Sequence, residues 1–414
     1  MSNYQVRAVH CDHLASDDEV YAALKRATAP LSRSWERLRT ARRIWIKFNQ
    51  DWRTPPRVFE GQFQEHVSEK VARATLRLLR ENTNAELCAV DVSFFTAYEN
   101  MQPGSTTWLA NVFREFDVEY VDGNLPPIVK TPVPGGGLMF DNYFLPGSLA
   151  EVDEVVSVQK MKNHAYMGIT LCLKNLFGLM PTDPLGRSRH YYHHLVRMPY
   201  MLVDIGRIFD PALNIIDALT SQAGQEWGSN DPRITDALVA GDHPVSTDAC
   251  GAYLMGHDPA ADWLTPPFHR DRNTLRVAAE NGWGTVDLSQ IDFLSEVQTP
   301  LAEFFAINTD PMSRVISWRR TTAEQALYYR DHRQDFLDKY AREYILLQRG
   351  EVRWHDTVGR LLWSRRRVAG DYPDEALWFK YVDPDETEGE HFEVYEKTLA
   401  EVKNLAQLPQ PEGS

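Results

Sequence analysis

Three basic or titratable side chains alternate along one short stretch of the chain, at Lys160, Lys162 and His164. The preceding run, Val155 to Val158, is mostly β-branched and apolar, which predicts a buried strand. Successive side chains of a strand point to opposite faces, so the three polar residues share one face at its carboxyl end. Crowded lysines lower one another's pKa, which favours a neutral amine that can take a proton or attack a carbonyl.

A second polar group follows within an otherwise apolar segment. We predict a helix over about residues 169–180, in which Thr170 and Lys174 lie four apart and share a face. Burying a lysine is costly unless it is paired or bound to an anion. Because the amino end of this helix, Lys174 and the adjacent Asn175 converge on the end of the strand, the segment predicts an anion site.

These residues also carry a family resemblance. The run KMKNH followed by GITLCLKNLFGLMP resembles the signature of the domain of unknown function 362 family. Weaker echoes lie at residues 44–49 (IWIKFN), 213–228 and 238–256, in the order that the family shows. The family's activity is poorly defined, so the resemblance implies no reaction. Some members carry ferredoxin-like segments that bind four-iron–four-sulfur clusters, and we predict no such cluster in this chain.

Further candidates lie where other strands of the predicted sheet end. Lys47 and Asn49 share a face at the end of a strand predicted over residues 43–48, and an open parallel sheet exposes that edge. The family echo favours a functional role for both. Asp217 ends a strand that begins at Leu213, so it is an acid–base or metal candidate. Bracing a loop or capping a helix explains Asp217 equally well.

Three more polar residues are candidate ligand contacts. Arg187, beside Arg189, could clamp a carboxylate or phosphate in a bidentate way, and His190 could face the same group. Asp248 precedes a predicted helix at 249–255, so it either caps that helix or contacts a ligand there. The histidines at 190, 193 and 194 resemble a metal cluster, but no HExxH pattern accompanies them, and we predict no metal ligand.

The order of predicted elements indicates the fold class. Strands alternate with helices about 30 residues apart, which is typical of a parallel α/β sheet. We predict an α/β domain over residues 1–309, with a mostly parallel sheet, flanking helices and a site between two lobes. Residues 310–414 predict a small α+β appendage with an acidic tail, which would either form a dimer or cover the site. The glycine-rich run at 132–140 predicts a hairpin or lid, because it lacks the lysine of a nucleotide loop.

Composition excludes several classes of function. The 414 residues carry a net charge of −14, which argues against the basic stripe that nucleic-acid binding needs. No apolar run is long enough to span a membrane, and no secretory signal is visible. The four cysteines are scattered, with no CxxC pair, as expected in a reducing compartment. We therefore predict a cytoplasmic protein with neither nucleic acid nor membrane as a partner.

The leading hypothesis is a biosynthetic enzyme that acts on a small anionic metabolite: a carboxylate, sulfate or phosphate. Proton transfer, elimination or Schiff-base chemistry would follow, as in a lyase or isomerase. Lys162 or Lys174 would act as base or nucleophile, His164 would shuttle the proton, and Asp217 would be a second acid–base group. The expected substrate contacts are Lys47, Asn49, Lys160, Thr170, Asn175, Arg187, His190 and Asp248.

Two alternatives stay open. The first is a metal-dependent enzyme in which a divalent ion is held by Asp217, Glu226, Asp248 and a histidine. The second is a redox or binding accessory protein without catalytic activity. The leading hypothesis itself requires no cofactor.

Overall fold

The structure is a computed structural model, and it describes residues 4–93, 101–102, 104–182, 186–187, 189–226, 231–359 and 365–405. Its strands, in chain order, are β1 (Tyr4–His10), β2 (Arg43–Phe48), β3 (Val58–Phe59), β4 (Gln62–Phe63), β5 (Glu86–Asp91), β6 (Glu119–Asp122), β7 (Ile128–Pro132), β8 (Asn142–Pro146), β9 (Glu154–His164), β10 (Gly168–Thr170), β11 (Leu213–Gln222), β12 (Pro232–Gly241), β13 (Ile291–Ser295), β14 (Tyr344–Gln348), β15 (Glu351–Asp356) and β16 (Trp378–Tyr381).

The α-helices of the same ranges are α1 (Asp17–Thr28), α2 (Ser32–Thr40), α3 (Glu69–Asn82), α4 (Ala110–Glu115), α5 (Cys172–Asn175), α6 (Arg189–Tyr192), α7 (Arg197–Phe209), α8 (Pro244–Leu254), α9 (Thr274–Glu280), α10 (Met312–Asp331), α11 (Arg333–Tyr340), α12 (Arg365–Val368) and α13 (Glu393–Leu405). Short 3-10 helices lie at Gly147–Glu151, Leu176–Leu179 and Leu288–Gln290. None of the described helices is both long and apolar enough to cross a lipid bilayer.

A nine-stranded sheet organises the described part of the chain, in the order β13-β1-β12-β11-β9-β2-β5-β6, with β10 paired to β9. The central strands β11, β9, β2, β5 and β6 are mutually parallel, whereas β12 runs antiparallel to both of its neighbours. Helices connect the parallel strands, so the carboxyl ends of β2, β5 and β9 meet at one edge. The predicted fold class, a mostly parallel α/β sheet with flanking helices, is confirmed.

Alternating apolar side chains build a separate hydrophobic core on each face of this sheet. In β9, Val155 packs into one core, whereas Val156 and Val158 pack into the other. In β2 the same alternation sends Trp45 to the first core and Ile44 to the second. A strand buried on both faces is fixed in register, because a one-residue slip would exchange its two sides. The polar residues at the strand ends are therefore held in defined positions.

The segment after β9 differs from the single helix predicted over residues 169–180. Gly168 has a φ of +79° and reverses the chain, so that β10 pairs antiparallel with β9 and Thr170 lies opposite Lys162. A one-turn helix, α5, and a 3-10 turn follow. A side chain at position 168 would meet the carbonyl oxygen of Pro267 at 2.9 Å. The predicted helix is thus wrong at its start, where tertiary pairing makes the chain extended.

The carboxy-terminal elements form an antiparallel sheet, β15-β14-β16, with α10 and α13 packed together beside it. The three strands and the final helix match the predicted appendage. Its aromatic residues Tyr344 and Trp378 belong to the same hydrophobic core as Phe177 and Tyr191. The division of the chain at residue 310 therefore stays a prediction.

The glycine-rich run at 132–140 joins β7 to β8, which pair as an antiparallel hairpin. Its predicted hairpin is confirmed. The buried carboxylate of Asp204 accepts hydrogen bonds from the backbone N–H groups of Leu138, at 2.6 Å, and Met139, at 2.8 Å. These bonds tie the hairpin to α7.

Candidate active site at the carboxyl edge of the sheet

A cavity of about 650 Å³ opens at the carboxyl ends of β2, β5 and β9, and we call it the lysine cavity. Its volume suits a small metabolite. Its walls hold more lysine and arginine than aspartate and glutamate. The predicted residues that line it are Lys47, Asn49, Lys162, His164, Thr170, Lys174, Asn175 and His190. The lining also includes Asp51, Trp52, Arg53, Asp91, Val92, Gln159, Phe177, Gly178, Arg189, His193 and Glu226.

Lys47 forms a buried ion pair in the cavity wall. Its Nζ lies 3.0 Å from Oδ2 of Asp91, and both side chains are almost fully buried. The two residues end neighbouring parallel strands, which explains why they meet. Burial raises the pKa of Asp91, although the positive charge of Lys47 opposes this. Gly178 leaves room for the pair, because a Cβ there would lie 2.5 Å from Lys47 Cε.

Lys162 is anchored by acceptors on the opposite wall. Its Nζ donates to Oδ1 of Asn49 at 3.0 Å and to the carbonyl oxygen of Glu65 at 2.8 Å. Burial lowers the pKa of Lys162 to about 8, although the charges of Glu65 and Glu226 oppose this. Both partners are acceptors, so the amine of Lys162 acts as a hydrogen-bond donor to the protein. These two bonds fix its position at the cavity.

Lys174 has a different environment. Its Nζ lies 4.7 Å from the ring centroid of Phe177, and Cζ of Arg189 lies 5.0 Å from the same centroid. Among the residues that the structure describes, no carboxylate lies within 4 Å of Lys174 Nζ. Burial, together with the positive charge of Arg189, lowers the pKa of Lys174 to about 7. Two cationic side chains, Lys174 and Arg189, therefore contact the same phenyl ring within the cavity.

The position of the proton on His164 follows from its hydrogen bonds. Nδ1 accepts from the backbone N–H groups of Tyr166 and Met167, at 3.0 and 3.1 Å. The neutral ring therefore carries its proton on Nε2, which lies 3.3 Å from Oε1 of Glu226. Burial, with the charge of Lys174, holds the pKa of His164 well below its usual value. This arrangement makes His164 a fixed donor and does not favour the predicted proton shuttle.

Two of the predicted site residues, Lys160 and Asp217, are not among the residues that line the lysine cavity. They form an ion pair at 3.2 Å with both side chains fully buried. Oδ2 of Asp217 also accepts from the backbone N–H and Oγ of Ser68, at 2.7 and 2.8 Å. Ser68 immediately precedes α3. Asp217 therefore braces the start of a helix, and Lys160 neutralises it.

Asp248 is also structural. Its carboxylate accepts from the backbone N–H groups of Cys172 and Leu173, at 2.8 and 2.7 Å. These are the first N–H groups of α5, so the helix end predicted to bind an anion is already occupied by a side chain. Burial raises the pKa of Asp248 to about 7, although these bonds oppose the shift.

Arg187 forms ion pairs with two carboxylates of the carboxy-terminal region. Its Nε lies 2.9 Å from Oε2 of Glu388, and a second nitrogen lies 3.2 Å from Oδ2 of Asp383. Its guanidinium also stacks 3.9 Å from the ring centroid of Tyr381. The predicted bidentate clamp exists, but both of its carboxylates belong to the protein.

The carboxylates of the metal-dependent alternative do not all line the same cavity. Of its carboxylates, Glu226 lines the cavity, whereas Asp217 and Asp248 are bonded elsewhere. The segment 213–228, which resembles the family and contains Glu226, includes residues 227–228, and these two lie outside the described ranges. His193 lines the cavity beside His190, but His194 contacts the carbonyl oxygen of Leu377 at 3.0 Å.

Sequence reasoning missed two carboxylates of the cavity. Asp51 follows β2 by three residues, and its carboxylate accepts a hydrogen bond from Oγ1 of Thr106. Burial, together with the negative charge of Asp91, raises the pKa of Asp51 to about 7. The signal was available for Asp91, because it ends the strand next to the one that carries Lys47. No local pattern marks Asp51.

The fold and the cavity define an α/β protein with a lysine-rich site at the carboxyl edge of a parallel sheet. The chain belongs to the family described as "Domain of unknown function (DUF362)", which it matches over residues 44–253. The chain is also similar to "Thylakoid-associated protein sll1697" from Synechocystis sp. (strain ATCC 27184 / PCC 6803 / Kazusa), with 28% identity over 126 residues. That alignment covers 29% of this chain and 38% of the relative's length.

Proposed function

We propose that the protein is an enzyme that binds a small anionic metabolite in the lysine cavity and acts on it by lysine chemistry. The observation that carries the proposal is the pair of cations on Phe177, Lys174 and Arg189, at 4.7 and 5.0 Å from its ring centroid. Like charges crowded in a partly buried site repel each other, and an anion bound between them would relieve this repulsion.

Lys174 is the better candidate for base or nucleophile. With a pKa of about 7, roughly half of its amine is neutral at pH 7 and free to accept a proton or attack a carbonyl. Lys162 donates two hydrogen bonds to the protein, which suits binding better than attack. Asp51, with a pKa of about 7, would supply the acid that the sequence had assigned to Asp217.

A thermal-shift screen against small carboxylates, sulfates and phosphates tests the proposal. At least one of them should stabilise the wild type, and Lys174→Met should abolish that stabilisation while the unliganded protein stays folded. Lys25→Met is a matched control, because Lys25 is exposed on α1, 3.9 Å from Glu81. A wild type that no anion stabilises, or a Lys174→Met variant that responds equally, would contradict the proposal.

A trapping experiment separates the reaction types. If the substrate is a carbonyl compound and Lys174 forms a Schiff base, borohydride should fix the ligand on this residue, and peptide mass spectrometry would locate it. Proton transfer would instead appear as exchange of a substrate hydrogen with deuterated solvent. Lys174→Met should lose either signal, whereas Lys25→Met should keep it.

We also propose a cytoplasmic location, supported by the scattered cysteines in the sequence. The similar protein from Synechocystis is named for its association with thylakoids, so attachment to a membrane surface is the competing location. Fractionation of cells in low and high salt distinguishes the two: release into the soluble fraction under both conditions is expected here.

A further inference from the structure

Two buried polar side chains of the lysine cavity have no hydrogen-bond partner among the described residues. They are Gln159 in β9 and Thr170 in β10, with exposures of only 1% and 6%. The unpartnered atoms are Oε1 of the amide and Oγ1 of the hydroxyl, and both residues line the cavity. Buried polar groups are nearly always paired, so this part of the wall lacks a partner that a ligand could supply.

Two neighbouring donors, Asn175 and Lys162, are committed to other acceptors. Nδ2 of Asn175 donates to the carbonyl oxygens of Lys47 and Val158, at 2.9 and 3.2 Å, and contacts Oγ of Ser157 at 3.0 Å. Lys162, opposite Thr170 in the β9–β10 pair, is held by Asn49 and a backbone carbonyl. These two donors are therefore directed away from Gln159 and Thr170.

The chemistry of the missing partner follows from the atoms. An amide oxygen needs a hydrogen-bond donor, which an ionised carboxylate or a fully ionised phosphate lacks. A hydroxyl group can donate to Gln159 Oε1, and a second ligand oxygen can accept from Thr170 Oγ1 or donate to it. We infer that the metabolite is a hydroxylated anion, whose charged group faces Lys174 and whose hydroxyl groups bond to Gln159 and Thr170. This inference rests on the proposed function.

Matched pairs of probes test it with the full-length protein. The pairs are lactate with propionate, and glycerol 3-phosphate with propyl phosphate, each measured by isothermal titration or thermal shift. The wild type should bind the hydroxylated member of at least one pair about tenfold or more tightly, because a site built around a hydroxyl group rejects an analogue that lacks it. Gln159→Leu and Thr170→Val should each reduce that ratio to about threefold or less.

The outcomes distinguish failure of the inferred hydroxylated ligand from failure of the proposed anion site. If none of the four probes binds the wild type at concentrations up to about 10 mM, the proposed anion site itself fails. If both members of each pair bind the wild type equally, the anion site stands and the hydroxylated ligand is refuted. If one variant does not fold, the other still decides. A preference that survives in the folded variants also refutes the role of these two side chains.

Discussion

Replacing Asp217 by asparagine should cost the protein much of its stability and leave the lysine cavity unchanged. The carboxylate is fully buried, 3.2 Å from Nζ of Lys160. It also accepts two hydrogen bonds from Ser68 and one from the backbone N–H of Leu219, at 3.2 Å. Asparagine keeps the shape of the side chain but removes the charge, so Lys160 would be left buried without its counter-ion.

The expected magnitude follows from this geometry. Removing one partner of a buried ion pair costs about 3–5 kcal/mol, and the loss of helix bracing at Ser68 places Asp217→Asn at the upper end. Lys160→Met should cost less, about 2–3 kcal/mol, because Ser68 still donates two hydrogen bonds to the remaining carboxylate. In the double variant the costs should not add, and we expect a coupling of about 1–3 kcal/mol.

Urea denaturation of the four proteins in this cycle gives the unfolding free energies, and thermal shift with a stabilising anion reports on the cavity. Asp18→Asn is the control, since Asp18 pairs with Arg77 at 2.7 Å but is 89% exposed. It should cost less than about 1 kcal/mol. An Asp217→Asn protein that is as stable as the wild type but no longer binds the anion would refute the structural assignment.

Two further predictions concern packing and pH. Gly178→Ala would place a methyl group 2.5 Å from Lys47 Cε and 3.2 Å from Asp91 Oδ1. Because this displaces the ion pair, we expect a loss of about 1–3 kcal/mol in stability and anion binding weakened about tenfold. An unchanged affinity in a titration would contradict this prediction. Glu390 is buried, yet Arg197 at 2.8 Å and a second cation hold its pKa at about 2, below the ordinary 4.5. Because the pKa is lowered on folding, roughly 3 kcal/mol of stability is present above about pH 5 and lost towards pH 2; Glu390→Gln should flatten this acid dependence in urea titrations.

The sequence predicted those cavity residues that follow from a local pattern and from the rule that parallel strands end at one edge of a sheet. Lys47 and Lys162 follow apolar strands, and parallel strands expose their carboxyl ends at one edge. Their convergence therefore needed no knowledge of side-chain contacts. Lys174 was predicted because burying a lysine within an apolar segment costs free energy unless the charge is paired or bound to an anion. All three line the cavity.

Lys160 and Lys162 show what a local sequence pattern does not predict. They occupy alternate positions of one strand, yet their side chains have different environments. Lys160 lies opposite Asp217 in the register of β9 and β11, and an irregularity then shifts the pairing so that Lys162 lies opposite Gln222. The first lysine therefore lies opposite a carboxylate, and the second lies opposite a neutral amide. This difference depends on the register of a strand more than 50 residues away, which the pattern within β9 does not contain.

The wall that carries Arg189 and His190 depends on the carboxy-terminal region. The hydroxyl group of Tyr192 donates to Oε1 of Glu388 at 2.5 Å, and Arg187 pairs with Oε2 of the same carboxylate at 2.9 Å. Tyr192 ends α6 and Arg187 lies shortly before it, so both contacts connect this part of the chain, which carries the cavity residues Arg189 and His190, to the carboxy-terminal region. Glu388 lies well beyond the region that matches the family, residues 44–253. The appendage is therefore part of how this site is built, and relatives without it would need another support for the same wall.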